Sequence, residues 1–271
     1  MPELPEVETT RRGIKPHVTG VKIREVIVKR HDLRQPISPS LDTLEGRKIK
    51  AVVRRSKYLL FEIDDRSTLM IHLGMSGSLR VIDPKSDWKK HDHLGLTLAN
   101  GKQLRFHDPR RFGLVLHFSS PPGEHPLLKN LGPEPLEEDF TPAYLKSACA
   151  SRKAAIKLVI MDAKVVVGVG NIYASEALFR AGILPKTIAN KLTLPRLMKL
   201  TASIKEVLTD SIEQGGTTLR DFLHSEGEPG YFRQQLFVYE RKGEPCLKCG
   251  TPIRHQVLGQ RSTYWCPKCQ K

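Results

Sequence analysis

Residues 246–269 read CLKCGTPIRHQVLGQRSTYWCPKC, a C-x2-C-x16-C-x2-C pattern built from Cys246, Cys249, Cys266 and Cys269. Each C-x2-C pair turns two thiolates toward one ion, and two pairs complete a tetrahedral zinc site. Two disulfides would use the same cysteines in an oxidising compartment. The N-terminus MPELPEVETTRR, however, carries carboxylates where a signal peptide has cations and an apolar run, so zinc is expected. Four thiolates leave no open coordination position, which makes the expected zinc structural. So short a segment buries too little to fold unaided, and the metal is expected to supply its folding energy. Residues 241–271 hold seven Lys or Arg against one acid, Glu244, so the stapled unit reads as a nucleic-acid contact. The fifth cysteine, Cys149, is expected in a core.

The rest of the chain carries the same electrostatic bias. Its 271 residues contain 44 Lys and Arg and 29 Asp and Glu, a formal net charge of +15. Such an excess points to an anionic partner, with nucleic acid ahead of a membrane surface. No apolar run approaches the ~18–20 residues of a spanning helix, which excludes an integral helical membrane protein.

Upstream of the cysteines the period of the apolar residues changes once. YLLFEI (58–63), LMIHL (69–73), LGLTL (94–98) and LVLHF (114–118) are short apolar or alternating runs with turn signals between them, including Asn100-Gly101. They predict a β-sandwich or barrel. Pro5–Ile14 predicts a helix, with Pro and acids early and Arg late. Six prolines between 121 and 142 mark a linker. Beyond it Leu197, Leu200, Ile204, Val207, Leu208 and Ile212 recur at helical spacing, ending at Gly215-Gly216. Thr218 and Asp221 have the spacing to cap a further helix, and 225–233 reads as a loop. In VVVGVGNIYASEALFRAGI (165–183), Gly168 and Gly170 lead to Asn171 as a helix cap, and such a turn offers N–H groups to a phosphate. At the other end, loss of Met1 would expose Pro2 as a secondary amine. An α-amino group titrates near ~8, against ~10.4 for lysine, so a neutral nucleophile is available at pH 7. Read alone, PELPE is a helix start.

Eight motifs in one order give a further reading. PELPEVE (2–8), KYLLFE (57–62), HLGMSG (72–77), KHDHL (90–94), DPRRFG (108–113), GVGNIYASE (168–176), GEPGYF (227–232) and the four-cysteine unit with Arg261 resemble the bacterial formamidopyrimidine-DNA glycosylase (Fpg) family across the whole chain. Leu4, the 227–232 loop and the set Met75, Arg110 and Phe112 favour the Fpg branch over the related endonuclease VIII, which acts on oxidised pyrimidines. The resemblance implies an α+β, multidomain fold. It comprises an N-terminal β-sandwich with flanking helices (1–132), a helix-two-turns-helix (H2TH) DNA-binding domain (133–236) and a four-cysteine zinc finger with a β-hairpin (237–271). It implies a base-excision-repair glycosylase and AP lyase acting on oxidised purines in duplex DNA, with one structural Zn2+ and no redox cofactor. The expected protein is a monomer in the bacterial cytoplasm, associated with the nucleoid through DNA.

By the same resemblance Pro2 is the nucleophile that forms a Schiff base at the sugar, and Glu3 is the acid/base at the ring oxygen. Lys57 serves β-elimination and the lesion phosphate, and Arg261 serves δ-elimination and the same phosphate. Met75 and Phe112 wedge into the stack and Arg110 meets the orphan cytosine. His72, His91, Arg152, Asn171 and Tyr239 contact the DNA backbone, and Lys157 approaches the flipped base or a phosphate. The 225–232 loop closes over the purine. Two positions depart from the family pattern: Glu240 stands where a VYGR-like turn has Gly, and Leu158 where a proline is common. A silent damage-binding protein is the alternative outside enzymes.

Overall fold

The structure, a computed structural model, describes residues 2–215 and 236–271. It falls into two compact units. The first is built on Met1–Lys129, and the second on Asn130–Glu213 with the described part of Arg233–Lys271. No helix among the described residues is long and apolar enough to cross a membrane.

The first unit begins with helix α1 (Leu4–Val18), four residues longer at its C-terminus than the sequence predicts and carrying Pro16 in its last turn. Eight strands follow: β1 (Ile23–Val28), β2 (Ile49–Arg55), β3 (Tyr58–Ile63), β4 (Thr68–His72), β5 (Ser78–Ile82), β6 (Asp92–Leu98), β7 (Gln103–His107) and β8 (Leu114–Phe118). They form two antiparallel sheets, ordered β1-β6-β7-β5 and β2-β3-β4-β8. One apolar cluster joins the sheets: Leu94, Leu96, Leu104 and Phe106 from the first meet Leu59, Phe61, Leu69, Ile71 and Val115 from the second. This is a sandwich, with Val7, Ile14 and Val18 of α1 added to the same core.

The second unit holds α2 (Pro142–Cys149), α3 (Ile156–Met161), α4 (Asn171–Ala181), α5 (Leu194–Glu213) and the hairpin β9 (Arg254–Leu258)–β10 (Arg261–Trp265). Pro142, the last of the linker prolines, occupies the first turn of α2, where its missing N–H leaves no helical bond unmade. Asn171 is the first residue of α4 and Gly170 is the cap, one residue earlier than the sequence predicts. Gly170 takes the extended backbone of a cap (φ −112°, ψ −157°). Cys149 is buried, as expected. The cysteine segment packs on α4: Phe179 joins Val238, Cys246, Ile253 and Cys266, and its ring stacks on Phe237 at 5.5 Å. Gly216, Thr218, Asp221 and the 225–233 loop lie outside the described residues.

Candidate functional site

Pro2 and Glu3 are both buried, and Glu3 is the N-cap of α1. Glu6 Oε2 accepts the Glu3 N–H at 2.8 Å, the return half of a capping box, which holds the dipeptide against the helix. One turn on, Glu8 gathers three guanidinium groups: Arg11 at 2.7 Å, Arg12 at 2.9 Å and Arg54 at 3.2 Å. Burial pushes the Glu8 carboxyl up, but these cations overcome it and hold the group down at about 2. Arg54 also donates from Nη1 to the Ser56 carbonyl at 2.9 Å. Ser56 and Lys57 form the two-residue turn between β2 and β3, closed by the Arg55–Tyr58 pair, with Ser56 at φ +56°. Glycine is the usual residue for that backbone in a tight hairpin, and a side chain there costs about 1 kcal/mol. Lys57 thus stands, half-buried, on a strained turn tied to α1 through Arg54 and Glu8.

His72 ends β4 opposite Tyr58, the two rings 4.9 Å apart. Burial, then the Lys57 and Arg34 cations, pull its imidazole down to about 4, so it is neutral at pH 7. Its Nδ1 accepts the Gly74 N–H at 3.0 Å, which leaves the proton on Nε2 as a donor.

Met75 and the pair Arg110 and Phe112 lie on adjacent loops of the same unit. Gly74 has φ +66°, and a Cβ there would sit 2.5 Å from Gly113 N and Phe112 C, so the two loop backbones touch. Arg111 adopts φ +58° between Arg110 and Phe112. The Arg110 guanidinium lies 5.3 Å from the centre of the Phe112 ring, which is 44% exposed, and Met75 is half-buried. His91 packs edge-on to His93 at 6.5 Å and His107 at 5.9 Å; burial, then His107 and Lys90, lower its pKa.

In the second unit the four cysteine Sγ atoms lie within 4.8 Å of one another. The Cys246–Cys269 and Cys249–Cys266 separations are 3.9 and 3.5 Å. A disulfide needs ~2.05 Å, whereas a tetrahedron with ~2.3 Å Zn–S bonds has edges of about 3.8 Å. The donor set therefore fits one zinc ion. Glu176 of α4 fixes the approach to this site: its carboxylate accepts the N–H groups of Phe237 at 2.9 Å, Val238 at 3.0 Å and Tyr239 at 2.9 Å. Tyr239 packs edge-on to Tyr264 at 5.3 Å, and Glu240 follows at φ +59°, a backbone that explains the family glycine.

Arg261 is exposed at the start of β10, one residue beyond the Gly259-Gln260 turn, whose φ values of +55° and +61° are those of a type I′ hairpin. Leu158 lies directly beneath Gly259, whose Cβ would come within 2.8 Å of it. Lys157, expected to face DNA, is fully buried; its Nζ donates to Ser262 O and Thr263 Oγ1, both at 2.9 Å. The hairpin supplies its acceptors in place of a phosphate or base. Arg152 is half-exposed and pairs with Asp162 at 3.5 Å. Asn171 Oδ1 is buried and has no partner among the described residues. Glu8, Asp108 and Glu176 were not singled out in the sequence, although each lies inside a quoted motif: a charged residue next to the motif's chemistry was the available signal.

Three family profiles match the chain in order. The "Formamidopyrimidine-DNA glycosylase N-terminal domain" covers residues 1–115, its "H2TH domain" 131–223, and a "Zinc finger found in FPG and IleRS" 243–271. A relative named formamidopyrimidine-DNA glycosylase, from Methylococcus capsulatus, is 56% identical over 272 residues, covering 100% of both chains. The Thermus thermophilus MutM (Fpg) crystal structure superposes with a TM-score of 0.89 at 40% identity, over 99% of this chain and 98% of that one. Lactococcus lactis Fpg, solved in complex with abasic-site DNA, gives 0.91 at 34% identity over 99% of each. With these domains in this order and such identity from end to end, the chain belongs to the formamidopyrimidine-DNA glycosylase family.

Proposed function

We propose that the protein is a base-excision-repair DNA glycosylase and AP lyase. It removes oxidised purines, namely 8-oxoguanine opposite cytosine and formamidopyrimidines, and cuts the strand by β,δ-elimination. The observation that carries this reading is the buried Pro2–Glu3 pair at the mouth of α1, linked through Glu8 and Arg54 to the turn that bears Lys57. The end-to-end likeness to named glycosylases, one of them in complex with abasic DNA, supports it.

With Met1 removed, the Pro2 nitrogen attacks C1′ of the extruded nucleotide and the bond to the damaged base breaks. Glu3 protonates the ring oxygen and the sugar opens to an iminium ion. That cation is an electron sink: loss of a C2′ proton expels the 3′ phosphate, and a second elimination expels the 5′ phosphate. Lys57 and Arg261 hold the lesion phosphate and serve the two eliminations. A zinc ion bound by the four cysteines supplies rigidity to the hairpin that bears Arg261. Lys157 acts through that hairpin. Extrusion leaves a hole, which Met75 and Phe112 fill while Arg110 meets the orphan cytosine. His72, as a neutral Nε2–H donor, joins His91, Arg152, Asn171 and Tyr239 on the DNA backbone. The working modules are 1–132, 133–236 and 237–271. The protein acts as a monomer on the bacterial nucleoid, in the cytoplasm.

Borohydride trapping tests the reading. The mature chain should give a covalent adduct with 8-oxoguanine duplex, and Pro2→Gly or retained Met1 should abolish it. Nicking of that duplex without a trappable adduct would overturn the Schiff-base route. Preference for thymine glycol over 8-oxoguanine would overturn the purine assignment.

A further inference from the structure

Asp108, the first residue of the DPRRFG motif, is fully buried, and each of its four polar atoms has a partner within the first unit. Its Oδ1 accepts the Ser76 hydroxyl at 3.0 Å, next to Met75. Its Oδ2 accepts the Gly113 N–H at 2.8 Å, next to Phe112. Its backbone N–H donates to the His91 carbonyl at 2.9 Å. Its carbonyl accepts the Arg111 N–H at 3.3 Å and meets His93 Nε2 at 2.7 Å. Ser76 and His93 are themselves buried. Arg111 is the strained residue at positive φ, and Gly74 is pressed against the Phe112–Gly113 peptide. The Asp108 side chain thus spaces the two loop tips, while its backbone carbonyl closes the strained turn between Arg110 and Phe112.

We propose that Asp108 is the positioning residue for nucleotide extrusion: it fixes Met75 in register with Arg110 and Phe112, so that all three enter the vacated space together. This rests on the reading of those three residues as hole-fillers. A misplacement of about 1 Å between such groups is worth up to about a hundredfold in rate. A pre-formed abasic site lacks the base that must be unstacked, so cleavage there depends less on the register.

The test is the ratio of two single-turnover rates: excision from an 8-oxoguanine:cytosine duplex and cleavage of a pre-formed abasic duplex. Asp108→Ala should lower this ratio about tenfold or more. Ser76→Ala, which removes one of the two side-chain bonds and leaves the Gly113 bond, should lower it about threefold and keeps the test alive if Asp108→Ala does not fold. Asp108→Asn should restore the ratio, because the amide oxygen can accept from Gly113 while its NH2 donates to the Ser76 hydroxyl. A purely structural role would lower melting temperature and both rates in parallel, and that outcome overturns the proposal. Phe112→Ala separates the two levels. If it leaves the ratio at the wild-type value, the hole-filling reading fails and this inference with it. If it lowers the ratio while Ser76→Ala and Asp108→Ala do not, the role of Asp108 alone is overturned.

Discussion

Two hairpin turns of the same length carry a candidate catalytic cation each. Lys57 stands on Ser56–Lys57 in the sandwich, and Arg261 follows Gly259-Gln260 in the zinc ribbon. Beneath the first lies a two-sheet apolar core, and the strained Ser56 is steadied by the guanidinium that Glu8 holds. Beneath the second lie Leu158 and a small cluster of Phe179, Val238 and Ile253, with four thiols, the Glu176 carboxylate and the Lys157 ammonium. The same local device therefore rests on hydrophobic burial in one case and on ionic and metal contacts in the other. The first should survive loss of metal, and the second should not.

Cys249→Ser is the strongest way to break this contrast. Structural zinc contributes on the order of 10 kcal/mol to such small modules. The variant should lose its zinc and weaken DNA binding while the sandwich stays folded; unchanged metal content would refute the four-cysteine site. Next is Glu176→Ala, which strips three backbone donors of their acceptor. At roughly 1–3 kcal/mol for a group left unsatisfied, it should lower the thermal stability of the second unit by several kcal/mol. A melting temperature within a degree of wild type would contradict the bracing role.

Acid should act on the sandwich side. The unfolded His72 takes up a proton as pH falls through 6.5, but the folded one resists to about 4. Stability is therefore lost across that window and levels off below it. Glu8 continues the loss between 4.5 and about 2, where its carboxylate protonates and releases its guanidinium partners. His72→Gln should flatten the upper part of the curve in denaturant titrations at stepped pH. The smallest effect is Glu240→Gly. Relief of a side chain at φ +59° is worth about 1 kcal/mol, partly offset by glycine's larger unfolded entropy. A small gain in stability is expected, and a loss would mean that the Glu240 side chain makes a favourable contact.

The comparison also explains what could be read in advance. Strands β3 and β8 match the sequence expectation residue for residue, because each opens on a run of consecutive apolar residues and its one polar residue, Glu62 or His117, falls near the end. Strands β5 and β7 were missed because buried charges interrupt them. Arg80 and Arg105 both reach Asp92, and Arg105 lies 4.1 Å from the centre of the Trp88 ring. A cation inside a strand looks like a surface residue until its distant partner is known. The burial of Lys157 is hidden in the sequence for the same reason, since its acceptors lie more than a hundred residues away. The zinc site was legible because its spacing is local within each pair. The node at Asp108 was not, because it joins loops that only the fold brings together.

Arg110 resting on the exposed Phe112 ring has a further consequence. Any encounter that sends the two side chains to separate destinations must first part them, at about 0.5–1 kcal/mol. On the proposed roles of Arg110 and Phe112, that cost sets a small threshold between passing along intact DNA and opening a base pair.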